Sequence, residues 1–230
     1  MRRIFTAMFK SSILYLLLLM VPAVAHAQNF FSTEEEGISR VFYGGFAGGL
    51  NFTQVDGDSY AGYHKVGLNA GGMVYVRFSD RVGLCLELAY SQKGARVKES
   101  GTNIYGVGYL NDYKLKLNYV EVPLMFYFVT NSKVHIKLGA SYARLFSSTE
   151  EAYANYQVNI DPALYTFRKQ DISYTAEIDY MFYKGWFAGF RYTYSIASIR
   201  DADKIPVGYG FGAAGQFNNS FSLRLMHLLK

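Results

Sequence analysis

The stretch VGLCLELAYS, residues 82–91, alternates with a period of two between large apolar side chains and small or polar ones. One face carries Val82, Leu84, Leu86, Leu88 and Tyr90, and the other carries Gly83, Cys85, Glu87, Ala89 and Ser91. This alternation predicts a β-strand whose two faces have different surroundings. The pattern alone leaves open which face is turned inward and what lies against the apolar one.

The first 27 residues have the features of a secretory signal peptide. Three basic residues precede the continuously apolar run 13–25, and Ala25 and Ala27 occupy the −3 and −1 positions of a cleavage site. We therefore expect Sec-dependent export, with residues 1–27 removed and 28–40 left as a short N-terminal periplasmic segment. Removing the three basic residues lowers the net charge from +5 to +2, which does not favour nucleic acid binding.

The rest of the chain has the composition of a β-protein. It is rich in aromatic residues, with 21 Tyr and 18 Phe, and contains only four Pro, a balance that favours strands. The single Cys cannot form an internal disulfide. Alternation with period two predicts eight strands, at residues 41–52, 66–78, 82–91, 118–128, 134–146, 172–182, 186–196 and 217–229.

Short and long connections alternate between these strands. The short ones are residues 79–81, 130–133 and 183–185, and the long ones are residues 53–65, 95–113, 147–170 and 197–216. Outer-membrane barrels show this asymmetry, with short periplasmic turns and long extracellular loops. We predict an all-β fold over residues 41–230: an eight-stranded antiparallel up-and-down transmembrane β-barrel.

The less apolar face of the strands decides the inside–outside assignment. It carries small residues and about one charge per strand, whereas a soluble barrel would carry many charges on its outer face. Small residues with isolated charges suit the narrow interior of an eight-stranded barrel, which side chains just fill. Glu87 should therefore face the lumen and Leu84 the lipid. The predicted lumen charge network is Arg77, Glu87, Glu121, Lys137, Glu177, Asp179, Arg191 and Arg224.

Aromatic residues on the apolar face recur at a spacing that suits a membrane. Four lie beside the short turns, and four Tyr lie near the long loops. The spacing is eight residues from Phe182 to Tyr174 and from Trp186 to Tyr194, or roughly 20 Å for tilted strands. Aromatic side chains of this kind form belts at membrane interfaces. The predicted aromatic girdles are Phe78, Phe128, Phe182 and Trp186 at one end, and Tyr90, Tyr142, Tyr174 and Tyr194 at the other.

Several segments resemble the PorT-like outer-membrane β-barrel family of Bacteroidetes, which are Gram-negative bacteria. They are YGGFAGGLNFT, LELAYSQKG and YVEVPLMFYF, and the last contains Tyr119–Leu124, which matches a family pattern of Tyr-Leu-Glu-Ile-Pro-Leu. The resemblance covers nearly all of residues 40–230. It implies an outer-membrane barrel of the porin family, without catalytic residues, and one branch is linked to type IX protein secretion. The ending MHLLK departs from the terminal aromatic residue of many such barrels.

Two main functions remain open at this point, and a third is less favoured. The barrel is either a structural or interaction module, acting through its loops or periplasmic face, or a narrow porin-like pore for small solutes. A lipid-modifying enzyme is disfavoured because no His is placed with a Ser and an acid at the outer rim. We predict no catalytic, cofactor or metal site, since Asp56–Asp58 and Asp201–Asp203 read better as turns than as Ca²⁺ ligands. The expected partners are outer-membrane lipid, the barrel-assembly machinery and a protein at the loops or periplasmic face, with no nucleic acid.

Overall fold

The computed structural model describes residues 41–58, 62–98, 103–104, 108–109, 112–131, 133–153, 157–158, 160–206 and 214–229. The predicted signal peptide, residues 1–27, and the predicted periplasmic segment, residues 28–40, lie outside the described residues. Tyr43–Lys230 form one compact unit, which holds the β-sheet.

Eight long strands form the described sheet, and each pairs with its neighbours in the chain. The last pairs antiparallel with the first, from Leu228 opposite Gly45 to Phe217 opposite Asp56, which closes the sheet into a barrel. In chain order the strands are β1 (Phe42–Asp56), β2 (Lys65–Arg77), β3 (Val82–Lys93), β4 (Asp112–Asn131), β5 (Val134–Tyr153), β6 (Gln170–Tyr183), β7 (Trp186–Ser195) and β8 (Phe217–Leu228). The closed eight-stranded barrel confirms the predicted fold class.

The connections differ between the two ends of the barrel, as predicted. β2–β3, β4–β5 and β6–β7 are joined at one end by no more than four residues each, and Gly185 provides the left-handed φ of 76° that the last of these turns requires. At the other end, the short strand Arg96–Lys98 pairs with the start of β4, and a 3₁₀ turn spans Ala202–Lys204. No helix in the described part of the chain is long and apolar enough to cross a bilayer.

Burial along β3 answers the question that its alternation raised. Cys85 and Glu87 are buried, whereas Leu86 and Leu88 are 46% and 61% exposed. The same inversion of the usual core pattern recurs on the other strands, where Phe126, Ile178 and Leu223 are each more than half exposed. The polar face therefore lines the barrel interior, and the apolar face forms its outer wall.

β4 and β5 are 20 residues long each, which is longer than predicted. The prediction stopped short because the apolar side chains move from the outer face to the inner face along these strands. Near the middle of β4 the exposed side chains are apolar, as at Val120 and Val122. Beyond Asn118 the outward residues become Lys116 and Lys114, and the buried ones are apolar: Leu117, Leu115 and Tyr113. An apolar inner face with a polar outer face is what a strand needs in water. These strands thus continue past the apolar band of the wall.

Candidate functional site

An apolar layer fills the interior at the short-turn end. Its buried members are Ala47, Met73, Tyr75, Cys85, Met125, Tyr127, Phe187 and Met226. Tyr75 packs edge-on against Tyr127 at 5.3 Å between ring centroids, and His135 packs against Phe187 at 4.9 Å. Small residues make room for these rings: a Cβ added at Gly83 would lie 2.5 Å from Tyr127 Cε1. This end of the lumen is therefore packed with side chains.

Three basic and three acidic side chains form a buried ion network next to this layer, on its long-loop side. Arg191 Nη2 donates to Glu87 Oε2 at 2.7 Å, and its Nε donates to Glu177. Arg224 bridges the same two carboxylates, at 2.5 Å to Glu87 Oε1 and 3.0 Å to Glu177 Oε2. We call this group, with the Lys137 and Asp179 pair beside it, the central network.

Lys137 joins the network to the apolar layer. Its Nζ lies 3.0 Å from Glu177 Oε1 and 2.6 Å from Asp179 Oδ2, and 5.1 Å from the centre of the Tyr75 ring. Gly189, opposite Asp179 on β7, leaves space for that carboxylate, because a Cβ there would lie 2.5 Å from Asp179 Oδ1. All six charged residues are buried.

The central network is electrically balanced, with three cations facing three anions. This balance matters because an unpaired buried charge costs several kcal/mol, on the order of the stability of a whole domain. Each Arg residue bridges Glu87 and Glu177, so both oxygens of Glu87 and one oxygen of Glu177 accept charge-assisted hydrogen bonds. The arrangement suits a rigid, closed section of the lumen and supplies no free charge to attract a solute.

A polar layer and a second ion cluster follow toward the long-loop end. Asn51 donates to Ser91 at 2.9 Å and accepts from Ser222 at 2.7 Å. Beyond them Lys93 Nζ lies 2.6 Å from Glu121 Oε1 and 3.6 Å from Asp171 Oδ2. We call Lys93, Glu121 and Asp171, with the Asn218 side chain that donates to Asp171 at 2.8 Å, the upper cluster.

The long-loop end is closed by a second apolar layer and by connecting segments that fold over it. The buried members of the layer are Val55, Ala95, Tyr113, Leu115, Leu117, Tyr119, Ala143, Leu145, Ala152 and Ile199. Arg200, which is fully buried, pairs with Glu150, contacts the Phe167 ring at 3.5 Å and donates to the Tyr165 carbonyl oxygen at 3.1 Å. Arg200 thereby ties residues 160–167 to the end of β5.

The structure brings together six of the eight residues of the predicted lumen network. Glu121 lies in the upper cluster instead, because it is opposite Ala89, two residues beyond Glu87 and ~7 Å further along the strand. Arg77 lies outside both the central network and the upper cluster. It lies at the mouth of the short-turn end, 4.0 Å from Asp80 and 5.8 Å from the Tyr43 ring, and contacts no member of the central network.

Four charged residues of the interior escaped the sequence analysis: the buried Lys93, Asp171 and Arg200, and the partly buried Glu150. Lys93 and Asp171 have the inward parity of their strands but lie just beyond the predicted ends at residues 91 and 172. Continuing the alternation by two residues would have found them. Glu150 and Arg200 carry no such signal, since β5 has a register shift before residue 150 and Arg200 lies between strands.

The eight predicted girdle residues all lie on the outer wall. Phe78, Phe128, Phe182, Tyr142 and Tyr174 are exposed, and Tyr90, Tyr194 and Trp186 are half-buried. Trp186 stacks on His227 at 4.5 Å, and Tyr174 stacks on Tyr194 at 5.7 Å. The apolar wall between the two sets consists of exposed aliphatic and aromatic side chains.

A family model for the outer membrane protein β-barrel domain matches residues 27–201 of the chain. Among solved structures, Ail, the attachment invasion locus protein of Yersinia pestis, aligns at 13% identity and a TM-score of 0.45, over 83% of this chain and 100% of Ail. Neisserial surface protein A aligns at 15% identity and a TM-score of 0.41, over 82% and 97%. OprG of Pseudomonas aeruginosa aligns at 17% identity and a TM-score of 0.36, over 82% and 94%. No curated protein matches the chain.

Proposed function

Because the chain belongs to the family of outer membrane protein β-barrel domains, we propose that it acts in the outer membrane as a closed barrel. In this proposal the protein is exported by the Sec pathway and serves as a structural or interaction module. It presents its connecting loops on one side of the membrane and its short turns on the other. It is not a pore.

The filled interior is the observation that carries this proposal. Through the described residues, an apolar layer, the central network, the upper cluster and a second apolar layer follow one another along the lumen. Eight-stranded barrels have interiors that side chains just fill, whereas aqueous channels occur in barrels of about sixteen strands. A solute would have to displace paired charges and packed rings, so a narrow pore is the weaker alternative.

The surfaces that remain for a function are the two ends and the outer wall. Leu164, in the connection between β5 and β6, and Tyr183, at the opposite end, are each 65% exposed. We propose outer-membrane lipid, the barrel-assembly machinery and a protein at the loops or periplasmic face as partners. The resemblance to PorT-like barrels supports a link to protein secretion.

We also propose that the barrel is not an enzyme. His64 lies exposed in a connection, and the other two described histidines, His135 and His227, make aromatic contacts at the short-turn end. Neither of these two rings hydrogen-bonds a Ser or an acid within the described residues, as an acyl-transfer site of the lipid-modifying kind requires.

Cell fractionation tests the location. The full chain, expressed with its own N-terminus, should sediment with the outer membrane and migrate differently on gels when it is not heated. Recovery as a soluble periplasmic protein would contradict the proposal.

Deleting the gene tests the role. An interaction module should change the set of secreted or surface proteins, and the full chain should restore that set on re-expression. Unchanged secreted and surface proteins, together with a loss of small-solute uptake, would favour the pore instead.

A further inference from the structure

A basic cleft opens on the outer wall of the barrel, at the upper edge of its apolar band. Its lining consists of Arg144, Arg168, Lys169, Gln170, Ile172 and Ala197, and its volume is about 460 Å³. The strand register fixes its height, since Arg144 lies opposite Gln170 and the next outward pair is Tyr142 opposite Ile172. The cleft therefore begins where the predicted girdle near the long loops, which includes Tyr142 and Tyr174, ends.

The cationic groups of the cleft are largely free to bind an anion. Among the described residues, the side chains of Arg144 and Lys169 have no hydrogen-bond or ion-pair partner, and both are exposed. Arg168 pairs with Asp201 at 2.5 Å, and half of its side chain remains exposed. Two free cations and one shared cation thus converge on one concave site.

The lower part of the cleft has the opposite character. Ile172 is 48% exposed. Tyr174 and Ile178, which follow on the same face of β6 toward the short-turn end, are also exposed. A simple inorganic anion would use only the basic part of this site. A ligand that contacts the whole cleft has an anionic group joined to an apolar chain, and that chain runs along the outer wall.

Positive charge continues on neighbouring strands at the same end of the wall. Arg96 pairs in register with Lys114, and Lys116 follows on the same outward face. Lys114 shares its charge with Glu151 at 3.8 Å. This side of the barrel therefore presents a broad basic surface above the apolar band.

The opposite side of the wall has a different charge. There the outward Asp56 accepts hydrogen bonds from Gln54 and Asn219 at 2.7 and 3.0 Å. Partial burial, and then the Asp56 carboxylate, raise the pKa of the Tyr63 phenol nearby. An anionic lipid would therefore be attracted to one sector of the barrel and not to its whole circumference.

We propose that the basic cleft binds an anionic phosphorylated lipid of the outer leaflet, one whose phosphate charge is not neutralised by its own headgroup, with the phosphate between Arg144 and Lys169 and an acyl chain against Ile172. Arginine and lysine are the usual phosphate ligands of proteins, and a guanidinium group can hold two phosphate oxygens at once. This inference rests on the proposed location of the barrel in the outer membrane.

Native mass spectrometry of the refolded full barrel in detergent tests this inference, with diphosphoryl lipid A and phosphatidylcholine as probes. The wild type should retain lipid A in preference to phosphatidylcholine. Each basic residue near an anionic membrane surface strengthens binding roughly fivefold, so Arg144→Gln with Lys169→Gln should weaken lipid A binding by about twenty-five-fold. The matched control, Arg81→Gln with Lys184→Gln, removes two exposed charges at the short-turn end and should leave binding unchanged.

Two results would overturn the inference. One is equal retention of lipid A by the wild type and the Arg144→Gln, Lys169→Gln variant. The other is complete displacement of lipid A by an equal concentration of inorganic phosphate, which would assign the cleft to a free anion. Unheated gel migration of the same samples reports barrel folding separately. A folded wild-type barrel that shows no preference for lipid A therefore rejects only this inference, whereas a barrel absent from the outer membrane rejects the proposed function as well.

Discussion

Arg191 lies between the carboxylates of Glu87 and Glu177, and it is 3% exposed. Replacing it by Met keeps most of its apolar stem but leaves three buried acids facing two cations. Breaking a buried ion pair in this way costs about 3–5 kcal/mol. We expect Arg191→Met to lower the free energy of unfolding of the refolded barrel by this amount, measured as a lower urea midpoint.

The control for this substitution is Arg81→Met, which removes an exposed Arg from a short turn and should change stability by less than about 0.5 kcal/mol. Equal urea midpoints for Arg191→Met and the wild type would show that water in the lumen screens the central network.

The upper cluster gives a second prediction for stability. Lys93 is the cation shared by Glu121 and Asp171, so Lys93→Met leaves two buried carboxylates without it. Removing one partner of a buried ion pair costs about 3–5 kcal/mol, and the free energy of unfolding of the refolded barrel in urea should fall by that amount. An unchanged urea midpoint for Lys93→Met would show that water in the lumen screens the upper cluster.

At the scale of the strand, β4 changes its surroundings along its length. Val122 is an exposed apolar residue of the wall, and Lys116, six residues away on the same outward face, belongs to the polar section. Spin labels on single cysteines at these two sites, in a Cys85→Ala background, should report this change. The label at 122 should collide with oxygen dissolved in lipid, and the label at 116 with a water-soluble nickel complex.

Equal oxygen accessibility at the two sites would place the membrane boundary elsewhere on β4. A label at Val120, one outward step nearer to Lys116 than Val122, serves as an internal control. Its accessibility should fall between the other two values, because depth changes in regular steps along a strand.

Strand number and the inside–outside assignment can be predicted from sequence because both depend on local alternation. Glu87 and Leu86 are neighbours, and period two alone places them on opposite faces. The partners of each lumen charge cannot be predicted in the same way. The alternation predicts that Arg77 and Glu121 point inward. Their positions along the barrel axis depend on the tilt and register of the closed sheet, which the alternation does not contain.

The strand ends are the other feature that the alternation does not fix. On β4 and β5 the apolar residues move from the outer face to the inner face where the wall leaves the apolar band, and a search for one kind of alternation stops at that point. Lys93 and Asp171, on β3 and β6, were missed because the predicted strands ended one or two residues too early. A search that allows the polarity to invert along a strand would recover the extended hairpin, and a search that continues the alternation past each predicted end would recover the upper cluster.

At the scale of the whole barrel, Arg200 holds the connections over the long-loop end. It is anchored by Glu150 and the Tyr165 carbonyl oxygen. Arg200→Gln should release residues 160–167 and speed their cleavage by a protease added to intact cells, while the unheated gel shift of the barrel remains. The control is Arg168→Gln, whose half-exposed pair with Asp201 should contribute little. Equal cleavage of the wild type and Arg200→Gln would contradict this role.

Conductance through a planar bilayer tests most directly whether the lumen is closed. The purified, refolded full chain should produce no stable current steps across a range of voltages, since paired charges and packed rings fill the barrel between its two apolar layers. Arg191→Met removes one positive charge from the central network but keeps most of the side-chain volume. This variant should therefore produce no current steps either. A reproducible channel of nanosiemens size in the wild type would contradict the closed barrel and favour a pore.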